Sequence, residues 1–355
     1  MTASPAKEDP DALGAVQRLL QQGEVAKALE TLNGLADAAQ SSLMGQYMRG
    51  VCLRLMGEFA NAESALRQLV EGNPSYGRAF QELGHLYRDA NMPTEALNAY
   101  ATACHLNPGL KASWVAQRDL IGKGSPERAD QISQRLKSLE SLPPALLASW
   151  DLLHEGKLHK AEQLCRQFMR QNPQHIDGMR VLAEIATRHG VLEDAEFLLE
   201  SAVEFEPEHR QARIDYVQIL SKRQRFQRAV DEAKALLDQA PDNPQLQSLY
   251  AIQCMQLGDY ESALTLFDKI LDRVPNDPVT NVSKGHALKT GGRSEDAITA
   301  YRAALKSQPF YCDAWYSLAN LKVYQFDDDE LSSMQALDDN PHLGGQDRVY
   351  LQFAL

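Results

Sequence analysis

The side chains that could do chemistry are few, and their spacing does not suit it. His154 and His159 come nearest to a metal-ligand pair, but they are five apart. A pair that shares a helix face is three or four apart, so we expect two solvated imidazoles. The five cysteines, Cys52, Cys104, Cys165, Cys254 and Cys312, are odd in number and far apart, with no C-x-x-C among them. They read as reduced thiols of a cytosolic protein, and Cys165 and Cys254 as core residues. Gly291-Gly292-Arg293 falls at a turn between helices and reads as a C-cap rather than a phosphate loop. The run Asp327 to Glu330 reads as the start of a helix with its carboxylates against the dipole; it lacks the spaced ligands and glycine of a calcium loop. No nucleotide-binding, zinc-protease, nucleophile-elbow or EF-hand pattern occurs. We therefore expect no catalytic residue, no cofactor and no metal.

Composition narrows the function classes further. With 36 Lys and Arg against 48 Asp and Glu the net charge is −12, so a general nucleic-acid binder is not expected. Aromatic residues are only 7%, which suits helices rich in Ala and Leu better than a β-sandwich. Residues Met1 to Leu13 are polar, with two prolines, and lack the apolar core of a signal peptide. No apolar run is long enough to span a bilayer, and no basic amphipathic stripe marks a membrane surface. The expected location is the cytoplasm.

What positions the remaining side chains is a repeat. Pro74 and Pro108 lie 34 apart, and Pro173, Pro207, Pro241, Pro275 and Pro309 follow at the same interval. Alanines keep an independent 34-residue register: Ala28, Ala62 and Ala96, then Ala161, Ala195, Ala229, Ala263 and Ala297. Seventeen residues before a proline stand Gly57, Gly156, Gly190, Gly258 and Gly292, with Asn91 and Gln224 as exceptions. One helical hairpin explains all three registers. Gly in the left-handed region ends the first helix. The second helix crosses the first closely, so its contact position holds only a methyl group. Pro then stops the second helix, and Asp242 or Asn276 caps the next.

A 34-residue helix–turn–helix of this layout resembles the tetratricopeptide repeat. The family's large residue near the start of the first helix appears as Phe80, Trp114 and Trp315. Its Leu-Gly pair appears as Leu83-Gly84, and more weakly as Gly50, Leu182-Ala183, Gly285 and Leu318-Ala319. Its aromatics appear as Tyr87, Tyr100, Phe267 and Tyr301. The resemblance implies an all-α, right-handed superhelical solenoid of antiparallel helix pairs, about ten units in all. A tail at 1–8 precedes units 1–3 at 9–110, divided as 9–42, 43–76 and 77–110. A shortened, degenerate unit lies at 111–141, where Ser125-Pro126-Glu127 starts the second helix and Pro143-Pro144 closes it. This unit is expected to bend the superhelix or divide it into two arms. Units 5–9 span 142–311, as 142–175, 176–209, 210–243, 244–277 and 278–311, and a divergent last unit spans 312–345.

The segment from Ala314 to Lys322, with Phe326, Met334, Asp347-Arg348 and Leu351 to Leu355, is similar to one bacterial family. In that family a tetratricopeptide array precedes a sulfotransferase domain. Residues 346–355 would then begin the linking helix, and the chain stops inside it. The family's phosphate-binding loop would lie beyond, so no catalytic or cofactor residue is carried over.

In tetratricopeptide proteins, positions 2, 5, 9 and 12 of each unit line the concave face. Here these include Tyr47, Arg78, Gln81, His85, Arg88, Trp150, Arg180, Glu184, Arg188, Gln218, His286, Lys289, Tyr316 and Asn320. The Lys and Asn of the chaperone-binding carboxylate clamp are absent as a pair, as is the asparagine ladder of sugar-transferase relatives. Arg78, Arg88, Arg180 and Arg188 form a basic set in an acidic protein. The expected partner is an extended or helical protein segment, acidic in character, bound without nucleic acid or membrane.

Overall fold

The computed structural model describes residues 10–340 and 343–355. The tail expected at 1–8 lies outside the described residues. Among those residues there are 22 α-helices and no strand. The chain divides after Arg188 into two compact units. The shortened repeat at 111–141 therefore lies inside the first unit and is not the boundary.

The first unit runs α1 (Pro10–Gln21), α2 (Val25–Asn33), α3 (Asp37–Ser41), α4 (Leu43–Leu55), α5 (Phe59–Gly72), α6 (Gly77–Asp89), α7 (Pro93–Leu106), α8 (Lys111–Ile121), α9 (Pro126–Ser141), α10 (Pro144–His154), α11 (Leu158–Gln171) and α12 (Ile176–Arg188). The second runs α13 (Leu192–Phe205), α14 (Arg210–Lys222), α15 (Phe226–Gln239), α16 (Pro244–Leu257), α17 (Tyr260–Arg273), α18 (Pro278–Thr290), α19 (Ser294–Ser307), α20 (Cys312–Ala319), α21 (Asp328–Asp338) and α22 (Gly345–Ala354). Pairs such as α4–α5, α6–α7, α16–α17 and α18–α19 pack on themselves and on the next pair. First helices of successive pairs also touch, α4 with α6, α10 with α12 and α16 with α18.

The three sequence registers each have their structural cause. Gly57, Gly156, Gly190, Gly258 and Gly292 all have φ between 74° and 96°, and Asn91 and Gln224 take the same conformation at 60° and 58°. After the turns at Gly57, Asn91, Gly156, Gln224, Gly258 and Gly292 the next residue donates its N–H to the carbonyl five residues back. Glu58 to Leu53 at 2.9 Å and Met92 to Tyr87 at 2.8 Å are two of these bonds. The eight register alanines are fully buried at the crossings. Gly84 and Gly285 lie under tyrosine rings: a methyl group added there would sit 2.6 Å from Tyr100 and 2.4 Å from Tyr301.

The large residue near the start of the first helix has a task its size alone does not show. Trp114 and Trp315 each donate their indole N–H, at 2.9 Å, to the carbonyl of the proline six residues earlier. Arg213 and Gln247 make the equivalent bond at 3.0 and 2.7 Å. Pro has no N–H of its own, and its carbonyl at a chain reversal has no ladder partner, so a long donor six residues on satisfies it.

Some local expectations are corrected. The caps before α16 and α18 are Asn243 and Asp277, one residue later than Asp242 and Asn276, because the helices start at Pro244 and Pro278. Ser125 precedes α9 without a side-chain capping bond, so Pro126 at the first position and Glu127 in the first turn mark that start. Helix α3 was not anticipated; its carbonyls lie so close to Gly45 that a methyl group there would meet Ala39 O at 2.2 Å. Asp327 and Glu330 do form a reciprocal capping box at the start of α21. Helix α22, at the segment expected to begin a linking helix, packs on α20, with Leu351 fully buried.

Candidate partner-binding site

In the first unit the repeat places nine of the expected residues on α4, α6, α10 and α12. Tyr47 is half-buried with its ring edge-on to Tyr76 at 5.8 Å, and burial pushes its phenol pKa up. Arg78 forms ion pairs with both Asp151 on α10 and Glu155, the residue that caps its C-terminus. Asp151 also accepts from Asn107 at 2.8 Å, and Glu155 from Lys157 at 2.5 Å. This cluster is a bracket between α6 and α10 that spans the shortened pair. Gln81 is buried, so it packs rather than faces solvent. His85 Nδ1 lies 2.7 Å from the Tyr100 hydroxyl. Burial, then the charges of Arg54 and Arg88, lower its pKa to about 4.

The basic set is already neutralised. Arg88 lies 3.3 Å from Asp89, Arg180 is 2.7 Å from Asp177, and Arg188 is 3.0 Å from Glu184. Arg188 also donates to Leu153 O at 3.1 Å. With Arg78 on two carboxylates, all four arginines have an acid of this chain beside them. Two of the pairings follow helical i,i+3 and i,i+4 spacing and could have been read from the sequence. The Arg78 bracket, 73 and 77 residues in reach, could not.

Trp150 is half-buried and stacks on His154 with centroids 6.2 Å apart. Above its ring, at 6.0 Å, lies the guanidinium of Arg135 from α9. The concave positions of the sequence reading omitted Arg135 because it belongs to the second helix of the shortened pair, whose register departs from 34.

In the second unit Gln218 on α14 and Asn320 at the end of α20 are exposed, and Lys289 on α18 is half-buried. His286 Nδ1 lies 2.9 Å from the Tyr301 hydroxyl, repeating the His85–Tyr100 arrangement. Tyr316 is not open: Tyr350 of α22 stacks on it at 5.2 Å and Phe353 meets it edge-on at 6.2 Å. The expected residues divide between the two units and between open, paired and covered positions.

All five cysteines are buried. Burial pushes the Cys104 and Cys165 thiols up to about 12 and those of Cys52 and Cys312 up to about 11, far from a reactive thiolate at neutral pH. Among the described residues no three His, Cys, Asp or Glu side chains converge to hold a metal ion. Nor is any helix among them long and apolar enough to cross a membrane.

Two family models agree with this reading of the fold. Residues 165–280 match the model of the cytochrome c-type biogenesis protein H TPR domain, and residues 13–77 and 282–321 match a tetratricopeptide repeat model. No curated protein matches the chain. Among solved structures, a tetratricopeptide repeat protein from Parabacteroides merdae is 13% identical, with TM-score 0.46, over 79% of this chain and 99% of that one. Pseudomonas aeruginosa pilF is 16% identical, with TM-score 0.45, over 59% and 95%. MamA of Desulfovibrio magneticus RS-1 is 13% identical, with TM-score 0.43, over 48% and 99%. The 34-residue hairpins, their left-handed turns and the two family models together identify this as a chain built of tetratricopeptide repeats.

Proposed function

We propose that the chain is a protein-interaction scaffold that holds an extended or helical segment of a partner along the faces of its first helices, in the cytoplasm and without catalysis of its own. The observation that carries the reading is intramolecular. Helix α22 lies on α20 over Tyr316, a residue of the face assigned to the partner, and is held there by aromatic stacking and the burial of Leu351. A face that seats one of the chain's own helices has the shape and apolar content to seat another's, the helix-in-groove mode of recognition.

The test is site-specific photo-crosslinking of the full chain in extracts of its source cells. A photoreactive residue at Glu184 or Gln218, both exposed on first helices, is expected to capture a protein partner. The same residue at Gln163 or Asp231, exposed on second helices, is expected not to. Capture only from the second-helix positions would overturn the reading.

A second reading rests on the resemblance of residues 314–355 to the joining stretch of bacterial repeat–sulfotransferase proteins. There the array would recruit substrate to a catalytic domain encoded beyond Leu355. A glycine-rich phosphate loop in the downstream reading frame decides for it.

A further inference from the structure

The four arginines expected to bind an acidic partner are paired internally, but one that was not expected is different. Arg135 is half-buried on α9 and forms no ion pair or hydrogen bond among the described residues. Its guanidinium sits 6.0 Å from the centroid of Trp150. The indole N–H of Trp150 likewise has no acceptor among the described residues, whereas the other two tryptophans spend theirs on the carbonyls of Pro108 and Pro309. The guanidinium thus lies over the face of a ring that also stacks on His154, and neither donor has an acceptor among the described residues.

A partly desolvated cation without a counter-ion is costly, and the face of an indole offsets only part of that cost. Burial, and then the charge of Arg180, lowers the Arg135 pKa, as expected of a cation with no acid beside it. Arg180 has Asp177 at 2.7 Å, so the uncompensated charge at this place is that of one guanidinium. A single positive charge with a guanidinium fork and one indole N–H matches a monoanion, which is the charge and acceptor geometry of a carboxylate. A phosphate dianion would leave one negative charge unmatched.

We infer that Arg135 and Trp150 form a carboxylate-binding shelf on the first unit, taking an Asp or Glu side chain or a C-terminal carboxylate of an acidic partner segment. This rests on the scaffold reading above and gives it an anchor point. The recognising cation is on α9, the second helix of the shortened pair, and meets Trp150 on α10, the first helix of the next pair.

The probe is fluorescently labelled hexaglutamate with the full chain, followed by anisotropy, with hexaglutamine as the uncharged control. The chain is expected to bind hexaglutamate and not hexaglutamine. Arg135→Gln is expected to weaken binding by about tenfold or more, the loss of a charge-assisted pair, and Arg135→Lys to recover part of it. Because an uncompensated charge is removed, Arg135→Gln should melt no lower than the parent chain, which separates lost binding from lost fold. Hexaglutamate binding equally to the parent and to Arg135→Gln, or to neither, overturns the shelf. So does competition by inorganic phosphate that is stronger than by acetate. Crosslinking from Glu184 or Gln218 that persists in Arg135→Gln would leave the scaffold reading standing while the shelf fell.

Discussion

His85 shows how a polar residue on a repeat face becomes part of the packing. Its ring is edge-on to Tyr100, 5.3 Å between centroids, and Gly84 beside it leaves room for that tyrosine. Arg54, Arg88, Asp89 and Glu82 surround the pair, and burial outweighs the acids. The folded imidazole therefore refuses a proton that the unfolded chain accepts below about pH 6.5. Its contribution to stability is full above that pH and is lost as the pH falls toward about 4, where the folded state also takes the proton. The stability lost between pH 7 and pH 5 should be smaller in His85→Phe than in the parent, by about 1 kcal/mol once partial exposure is discounted. His154 and His286, lowered in the same direction, titrate in both proteins and cancel from the comparison. Denaturant melts at the two pH values measure it; equal losses would mean that His85 is solvated.

At the scale of helices, the alanine register is the most demanding feature. Ala229 and Ala263 are fully buried where the second helix crosses the first, and close-packed interiors do not absorb three extra carbons. Ala229→Leu or Ala263→Leu should each cost about 1–3 kcal/mol. An unchanged urea midpoint would show that these positions are not the crossing points. Turns, crossings and helix order were legible in the sequence because each is set within one hairpin by Gly, Ala and Pro at fixed intervals. Asn91 and Gln224 show the limit of that register, since the fold imposes a left-handed turn there on residues that pay for it. What was not legible depends on contacts between elements. The Arg78 bracket joins residues more than two repeats apart, Arg135 meets Trp150 from the second helix of the preceding pair, and α22 turns back to stack Tyr350 on Tyr316.

At the scale of the molecule, a tandem array is held mainly by neighbour-to-neighbour interfaces, so its stability is nearly a sum over units. The bracket of Arg78 with Asp151 and Glu155 is an exception inside the first unit, because it ties α6 to α10 past the pair between them. The consequence is mechanical. If the first unit were stretched from handles outside residues 77–155, an array coupled only to neighbours would yield hairpin by hairpin, each releasing about 110 Å of chain. With the bracket closed, the segment from Arg78 to Glu155 carries no load until those ion pairs give. It should then pay out in one event of about 250 Å, the extended length of some 77 residues. Single-molecule extension would show the long step in the parent chain and its replacement by short ones in Arg78→Gln. The charges that looked, by position, like a landing place for a partner would then act as a fastener under tension.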